Sequence, residues 1–509
     1  MASLPEDSGR RKVMAVGLDG LTLDLLLPLA RSGALPTFAR LLGQGQYGIL
    51  HSVTNTATGP TWASFATGCE PPRHGNLHDF HHVTGRYGLR PTNGADRRGV
   101  SFWEAASDAG RNVVVLNVPH TYPVRPVRGV ILAGIDAPSQ DAPGFDHPPG
   151  SARALRRHIG EYVVDCGAQS YFQAKEAAQG TGAMDLAVAA VERETEARTR
   201  AAEHYLRRVD WDLLVVVYSL PDIWQHHFWA DLERPGSAGE ATIESGYRLV
   251  DAHLGRLLAH LPEDGLAVVF SDHGFGPLCG TRDDLNRWLA EQNLLAFHAG
   301  RADGVARRWL GGALAQVRRH SSYNRRQRLL ASVPALRRAV DTRLRMGGID
   351  WRRTKAYAAI DHNELWLNVR GRQPAGTVAP EDQEALAQQL AASLLGWRDE
   401  DGRPLVAAVH RQPYAGVELP GVLPPDLALE WDPDAARAGL HPAMSGDHTL
   451  DGTLVVSGAG VGPGRLAPSR LVDVAPLVLA GLGLPAFGMD GGVPSGLRDA
   501  VGPRAVVGA

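Results

Sequence analysis

The sequence predicts an α/β fold: a mostly parallel central sheet with helices on both faces, and an inserted smaller cap region. Three observations carry this expectation. Short runs rich in Val, Ile and Leu recur along the chain, stretches of helical spacing separate them, and several runs stop at an aspartate.

The first run, Lys12–Gly20 (KVMAVGLDG), is apolar as far as Asp19. Leu23–Gly45 then has helical spacing. Interruptions are expected at Pro28 and Pro36, because proline removes a helix donor and clashes with the preceding turn. Ser52–Gly75 supplies a threonine-rich turn, a helix and a Thr-Gly stop, and RNVVVLNVP and RGVILAG are two further β-branched runs. Residues 136–182, rich in Pro, Gly and Asp, form an expected excursion from the sheet. Ala183–Val209 has long helical periodicity and feeds the run Asp212–Asp222 (DLLVVVYSLPD). Another helix, ESGYRLVDAHLGRLLAHL, precedes Leu266–Pro277 (LAVVFSDHGFGP).

Residues 301–355 carry fifteen Arg or Lys against three acidic residues. A solvated helical surface explains such a block, and so does a lid that attracts an anionic substrate. ELWLNVRGR, DGRPLVAAVHR and DLALEW have the character of strands in a smaller mixed unit, and GDHTLDGTLVVSGAG returns to the core pattern. The expected organisation is a catalytic core over 1–295, an inserted basic and mixed cap region over 296–420, and a return to the core over 421–509.

Composition narrows the function classes. The 509 residues are 44% hydrophobic and carry a net charge of −3, which gives no pull toward nucleic acid or anionic membranes. The three cysteines, Cys69, Cys166 and Cys279, are scattered and never in CxxC spacing, so neither a disulfide framework nor a zinc knuckle is expected. The polar opening MASLPEDSGRRK leads straight into a strand and leaves no room for the apolar stretch of a secretory signal. No run reaches the roughly 18 apolar residues of a membrane span. A cytoplasmic protein is expected.

The strand ends hold the chemistry, because parallel open sheets bind ligands outside the carboxyl ends of their strands. Three runs finish in an acid, at Asp19, Asp222 and Asp272. His273 follows Asp272, His226 lies four residues beyond Asp222 on what would be one helical face, and His448 precedes the last core run. Carboxylate and neutral imidazole are donors suited to zinc and similar cations. A hydroxyl at the start of the helix expected within Ser52–Gly75 would gain from the positive end of the helix dipole, although such hydroxyls also serve as plain N-caps.

Together these stretches resemble the alkaline phosphatase superfamily, in its type I phosphodiesterase/nucleotide pyrophosphatase branch. The resemblance spans nearly the whole chain, through GLDG, LPTFARLLGQG, TWASFATGCEPPRHG, NVPHTYP, DIWQHHFW, SDHGFGP, LNRWLAEQNLL, GDHTLDGTLVVSGAGV and VDVAPLVLAGLGLP. It implies an alkaline-phosphatase-like fold and two divalent metal ions, zinc by the donor set with manganese as the alternative. Asp222, His226 and His448 would hold one ion; Asp19, Asp272, His273 and a nucleophilic threonine would hold the other. The family spacing to the Thr-Gly pair selects Thr58 as nucleophile, with Thr61 as its rival. Gly274 and Gly276 would let the backbone turn sharply beyond the ligands.

The implied activity is two-metal hydrolysis of a small anionic phosphoester through a phospho-threonine intermediate, without nucleic-acid polymer or membrane as partner. The same site could transfer the phosphoryl group to an alcohol or hydrolyse a phosphonate, and a metal-binding protein without turnover is a third reading. One departure weakens the pyrophosphatase assignment. Where family members place Phe-Pro-Asn after the nucleophile, the asparagine holding a phosphoryl oxygen, this chain has Gly59-Pro60-Thr61. Among the remaining histidines, His74 is expected to support a turn, and His78, His81 and His82 to lie at the surface or on a pocket rim.

Overall fold

The protein is described by a computed structural model covering residues 10–165, 182–280, 282–298, 346–359, 363–399, 401–417, 419–432 and 444–501. Residues 301–345 of the expected basic block and 166–181 of the expected excursion lie outside the described residues.

The chain divides into two compact units. The first comprises Met1–Asn76, Asn93–Gly276 and Ala443–Ala509; the second comprises Leu77–Thr92 and Pro277–Pro442. The expected cap region 296–420 falls inside the second unit, which is wider at both ends and also recruits the segment at 77–92.

In the first unit, the described residues form a ten-stranded sheet. Across it run Gly464–Arg465, Gln46–His51, Asp451–Gly458, Leu266–Phe270, Val13–Leu18, Leu213–Tyr218, Val113–Leu116, Gly129–Leu132 and Asp146–His147, with Ser469–Arg470 also paired to Gln46–His51. The central strands are parallel, and Asp451–Gly458 runs antiparallel to both neighbours. Alternation along the strands feeds two cores. Met14, Val16 and Leu18 join Val114, Leu116, Leu214 and Val216 on one face, whereas Val13 and Ala15 join Val113, Val115, Leu213 and Val215 on the other. Burial on both faces explains why these runs read as continuously apolar rather than alternating.

Two proline expectations resolve differently. Pro36 begins a helix, Pro36–Gln44, where its missing N–H is harmless. Pro28 instead sits inside the helix Leu23–Arg31, which continues through it. Leu23, Leu26 and Ala30 are buried on that helix, so packing holds a segment that proline alone would break. The expected excursion contains, in its described part, the edge strand Asp146–His147 and the helix Ser151–Ile159.

The second unit has its own four-stranded antiparallel sheet, in the order Ala356–Tyr357, Glu364–Leu367, Leu427–Trp431, Val406–Arg411. Leu365, Leu367, Leu427 and Leu429 share a core there with Ala387, Leu390 and Leu394 of the helix Gln383–Leu395. No helix among the described residues is long and apolar enough to cross a membrane.

Candidate metal centre

Three adjacent strands of the first sheet, Leu266–Phe270, Val13–Leu18 and Leu213–Tyr218, are parallel and end at the same edge. Asp19 follows its strand directly, and its N–H extends the ladder by donating to Tyr218 O at 3.1 Å. Asp222 is not a strand residue: the strand stops at Tyr218, and Asp222 opens the helix Asp222–Phe228. His226 then stands one turn along that helix, as its spacing anticipates. Asp272 and His273 leave the third strand after Ser271 and are almost wholly buried. His448 arrives on a separate strand, Gly446–Thr449, which pairs with Gly274–Pro277.

That pairing corrects the reading of the glycines. Gly274 and Gly276 lie in a strand, not in a turn. Their requirement is space: a Cβ on Gly274 would overlap the Asp451 carbonyl oxygen, and one on Gly276 would crowd Thr449 Cγ2 at 2.8 Å.

Six of the expected ligand residues converge in two overlapping groups. His226 Nε2, His448 Nε2 and Asp222 Oδ1 form a near-equilateral triangle with edges of 3.0, 3.3 and 3.2 Å. His273 Nε2 lies 3.2 Å from Asp19 Oδ1 and 3.5 Å from Asp272 Oδ2. The His273 and His448 rings stack at 3.6 Å and join the two groups.

The imidazoles are all turned the same way. His226 Nδ1 faces Gly446 O at 3.0 Å, His273 Nδ1 faces Gly274 O at 2.9 Å, and His448 Nδ1 faces Thr56 O at 2.9 Å. A carbonyl only accepts, so each Nδ1 carries the proton and each Nε2 presents a lone pair to the cluster. Asp222 Oδ1 and Asp272 Oδ1 are buried there with no hydrogen-bond partner among the described residues. Lone pairs and orphaned carboxylate oxygens aimed at one another repel, unless a cation lies among them. The donor set therefore fits divalent metal, and zinc is the borderline cation that such Asp/His sets suit.

Without a cation the cluster shares protons instead. Burial depresses His273, but Asp272 and then Asp19 override it and push the imidazole up to about 10. Burial and then the Asp19 charge push Asp272 up to about 7. Burial would raise Asp222, yet His226 and His448 hold it well below the usual carboxylate range. His226 and His448 rise against their burial because Asp222 faces both.

Thr58 and Thr61 lie on the helix Thr58–Thr67, whose N-cap is Ala57, so neither hydroxyl is an N-cap. Thr58 is the first helical residue and half-buried. Thr61 is fully buried and donates to Asp272 Oδ2 at 2.8 Å.

Asp447 was not singled out by sequence, yet it lies with His226 and His448 in a third group able to hold a metal ion. Its place beside a candidate ligand in GDH was the available signal. The orienting carbonyls of Thr56, Gly274 and Gly446 are backbone atoms that no side-chain motif announces. Phe275, edge-on to His226 at 4.8 Å, was read only as part of a turn.

His74 is buried with Nε2 2.8 Å from Ser64 Oγ, and burial pulls it down to about 3. His78, His81 and His82 are buried, not on a surface or rim. His78 Nδ1 pairs with Glu364 at 3.0 Å, His81 Nδ1 meets Arg90 at 3.1 Å, and His82 Nε2 meets Tyr357 OH at 2.8 Å. A second-unit core built around polar aromatic partners absorbs them.

Residues 13–430 match the family model described as type I phosphodiesterase/nucleotide pyrophosphatase. The chain belongs to this family. It is a hydrolase. No curated protein sequence matches it. Among solved structures, the hydrolase is similar to a phosphonoacetate hydrolase from Sinorhizobium meliloti 1021 in complex with phosphonoformate, at a TM-score of 0.55 and 16% identity. The alignment covers 93% of this chain and 96% of that one. The same enzyme in complex with phosphonoacetate gives a TM-score of 0.54, again at 16% identity and the same coverage. At that identity the likeness establishes the shared fold.

Proposed function

We propose that this hydrolase is a two-metal phosphoesterase of the phosphodiesterase type that works through a phospho-threonine intermediate on Thr58. The supporting observation is the common orientation of three imidazoles, with Nδ1 held by carbonyls and Nε2 converging on carboxylates, of which Asp222 Oδ1 and Asp272 Oδ1 have no hydrogen-bond partner among the described residues. In this reading Asp222, His226 and His448 hold one ion, and Asp19, Asp272, His273 and Thr58 hold the other. Zinc is the favoured metal and manganese the alternative. Bound there, the two ions would supply positive charge that screens an anionic phosphate ester and eases deprotonation of the attacking hydroxyl.

The chain's own part is alignment. Thr56 O holds His448 and Thr61 Oγ1 holds Asp272, so the backbone carrying Thr58 is tied at both ends to the candidate ligands. The positive end of the ten-residue helix lies at Thr58 and favours an anion there. Thr58 Oγ1 gives up its proton and forms a bond to phosphorus as the bond to the leaving oxygen breaks, and that oxygen takes up a proton and departs as the alcohol. Water then cleaves the Thr58 phosphoester, releasing the phosphate product and restoring the hydroxyl.

Release of p-nitrophenol from bis(p-nitrophenyl) phosphate, with and without chelator, tests the reading. Chelator-sensitive release is expected, and Thr58→Ala should lower kcat by roughly 10³-fold or more while retaining bound metal. Unchanged turnover in Thr58→Ala removes the nucleophile assignment. Phosphonoacetate belongs in the same panel, because a phosphonoacetate hydrolase shares the fold.

A further inference from the structure

We infer that Thr61 is a positioning residue for Asp272, and that its hydroxyl is committed to the protein rather than offered to substrate. The inference deepens the metal-centre reading above and rests on it.

The spacing of Gly59-Pro60-Thr61 leaves two roles open for Thr61, a rival nucleophile or a donor to a phosphoryl oxygen. The geometry assigns neither. Thr61 is 0% exposed, and its Oγ1 donates to Asp272 Oδ2 at 2.8 Å. Oγ1 also lies 3.1 Å from Ala57 O and 3.3 Å from Thr58 O, the back-bonding position of a helical threonine. A hydroxyl has one proton, and a carboxylate is a stronger acceptor than either carbonyl, so that proton goes to Asp272. Nothing remains to give a substrate oxygen.

The consequence lies in how the Asp272 carboxylate is held. Asp272 is fully buried, with Oδ2 satisfied by Thr61 and Oδ1 without a partner among the described residues. The oxygen that Thr61 holds, Oδ2, is also the one 3.5 Å from His273 Nε2, so the bond fixes the carboxylate oxygen that faces the cluster. Thr61 sits one helical turn beyond Thr58, so the same bond locks the first turn of that helix to the strand end carrying Asp272. Outer partners of this kind typically change metal affinity or activity 10- to 100-fold when removed.

The isosteric variant Thr61→Val deletes the hydroxyl without opening a cavity, and Thr61→Ser keeps the hydroxyl while deleting the methyl. Metal stoichiometry after dialysis against graded chelator, read by elemental analysis, should show Thr61→Val releasing one of its ions at roughly 10- to 100-fold weaker affinity. Thr61→Ser should hold both ions like the wild type. With a diester substrate, Thr61→Val should lose kcat at saturating metal and keep KM, because the hydroxyl does not touch substrate.

Three results overturn the inference: wild-type metal retention in Thr61→Val, equal loss in Thr61→Ser and Thr61→Val, or a rise in KM alone. If Thr61→Val does not fold, as judged by circular dichroism, Thr61→Ser against Thr61→Ala decides on the same readouts. Failure of the wider reading looks different: the wild type would then bind no metal, or Thr58→Ala would keep full turnover.

Discussion

Asp222 N donates to Asp19 O at 3.0 Å, so the two turns that carry these carboxylates are joined through their backbones. One residue is assigned to each proposed ion, so the bond ties the two groups into a single frame. Gln225 reinforces it from beneath: its Nε2 donates to Gly20 O at 2.7 Å, and its Oε1 accepts from Tyr247 OH at 2.9 Å. Gly20 adopts φ +70°, and a Cβ there would press on Asp222, so the turn belongs to glycine.

Gln225→Ala tests the coupling. Gln225 is wholly buried, and removing its amide leaves Gly20 O without its donor and the Tyr247 hydroxyl proton without its acceptor, at a cost of about 1–3 kcal/mol each. Both ions should be released at lower chelator concentration, together rather than in sequence. Retention of wild-type metal affinity would show that the turns hold their shape independently.

Gly274 should tolerate no side chain. A Cβ would overlap Asp451 O, and the displaced residue adjoins His273, so Gly274→Ala should lose about 1–3 kcal/mol and weaken metal binding with it. Gly43 is the contrast, exposed in the helix Pro36–Gln44 with nothing within 4 Å of its Cβ position. Gly43→Ala should be neutral or stabilise by up to about 1 kcal/mol. Melting temperatures of the two variants, measured side by side, read the difference.

The metal-free protein should lose stability as pH rises. His273 is pushed up to about 10, above its unfolded value, so its contribution is complete below the unfolded imidazole range and disappears as pH climbs through 10. Asp272, pushed up to about 7, acts in the same direction over a lower window. Asp222 has the opposite sign, since a depressed carboxyl loses its contribution only on acidification. Between pH 7 and 10 the His273 effect governs, and the melting temperature in chelator should fall. Metal-loaded protein should resist this fall, because ligand deprotonation favours metal. A chelated protein whose melting temperature climbs over that range would contradict the proton sharing described for the cluster.

The parallel strands were legible because Val13–Leu18, Leu213–Tyr218 and Leu266–Phe270 are buried on both faces and read as unbroken apolar runs. Asp19, Asp272 and His273 were legible for a related reason: polar residues ending such runs have no place in the core. His448 could be tied to the others only by resemblance, since its strand pairs with Gly274–Pro277 across a long separation. Three things were illegible. Packing carries the Leu23–Arg31 helix through Pro28, the carbonyls that orient the imidazoles have no residue code, and the hydroxyl direction of Thr61 depends on helix phase relative to Asp272. His78, His81 and His82 were misjudged because local polarity suggested exposure, whereas distant partners such as Glu364 and Tyr357 satisfy two of them inside the second unit.

The strand end before Asp222 rests on a buried ion pair. Arg198 pairs with Glu194 one turn away on the same helix, both side chains 4% exposed. Arg198 Nη1 also donates to Val217 O at 3.0 Å and Ser219 Oγ at 2.9 Å, and Ser219 Oγ donates to Glu194 Oε1 at 2.8 Å. Ser219 stands three residues before Asp222, so the network fixes the start of the turn that presents this ligand. Arg198→Met strands a buried carboxylate and should cost about 3–5 kcal/mol, whereas Arg198→Met with Glu194→Met should recover much of that loss. If the network serves only folding, the double variant will bind metal like the wild type once its melting temperature is restored. If it also positions Asp222, the double variant will melt near the wild type and still release metal more readily. The second outcome is expected, because Ser219 loses both Arg198 and Glu194 as partners in the double variant while the hydrophobic replacements restore only packing.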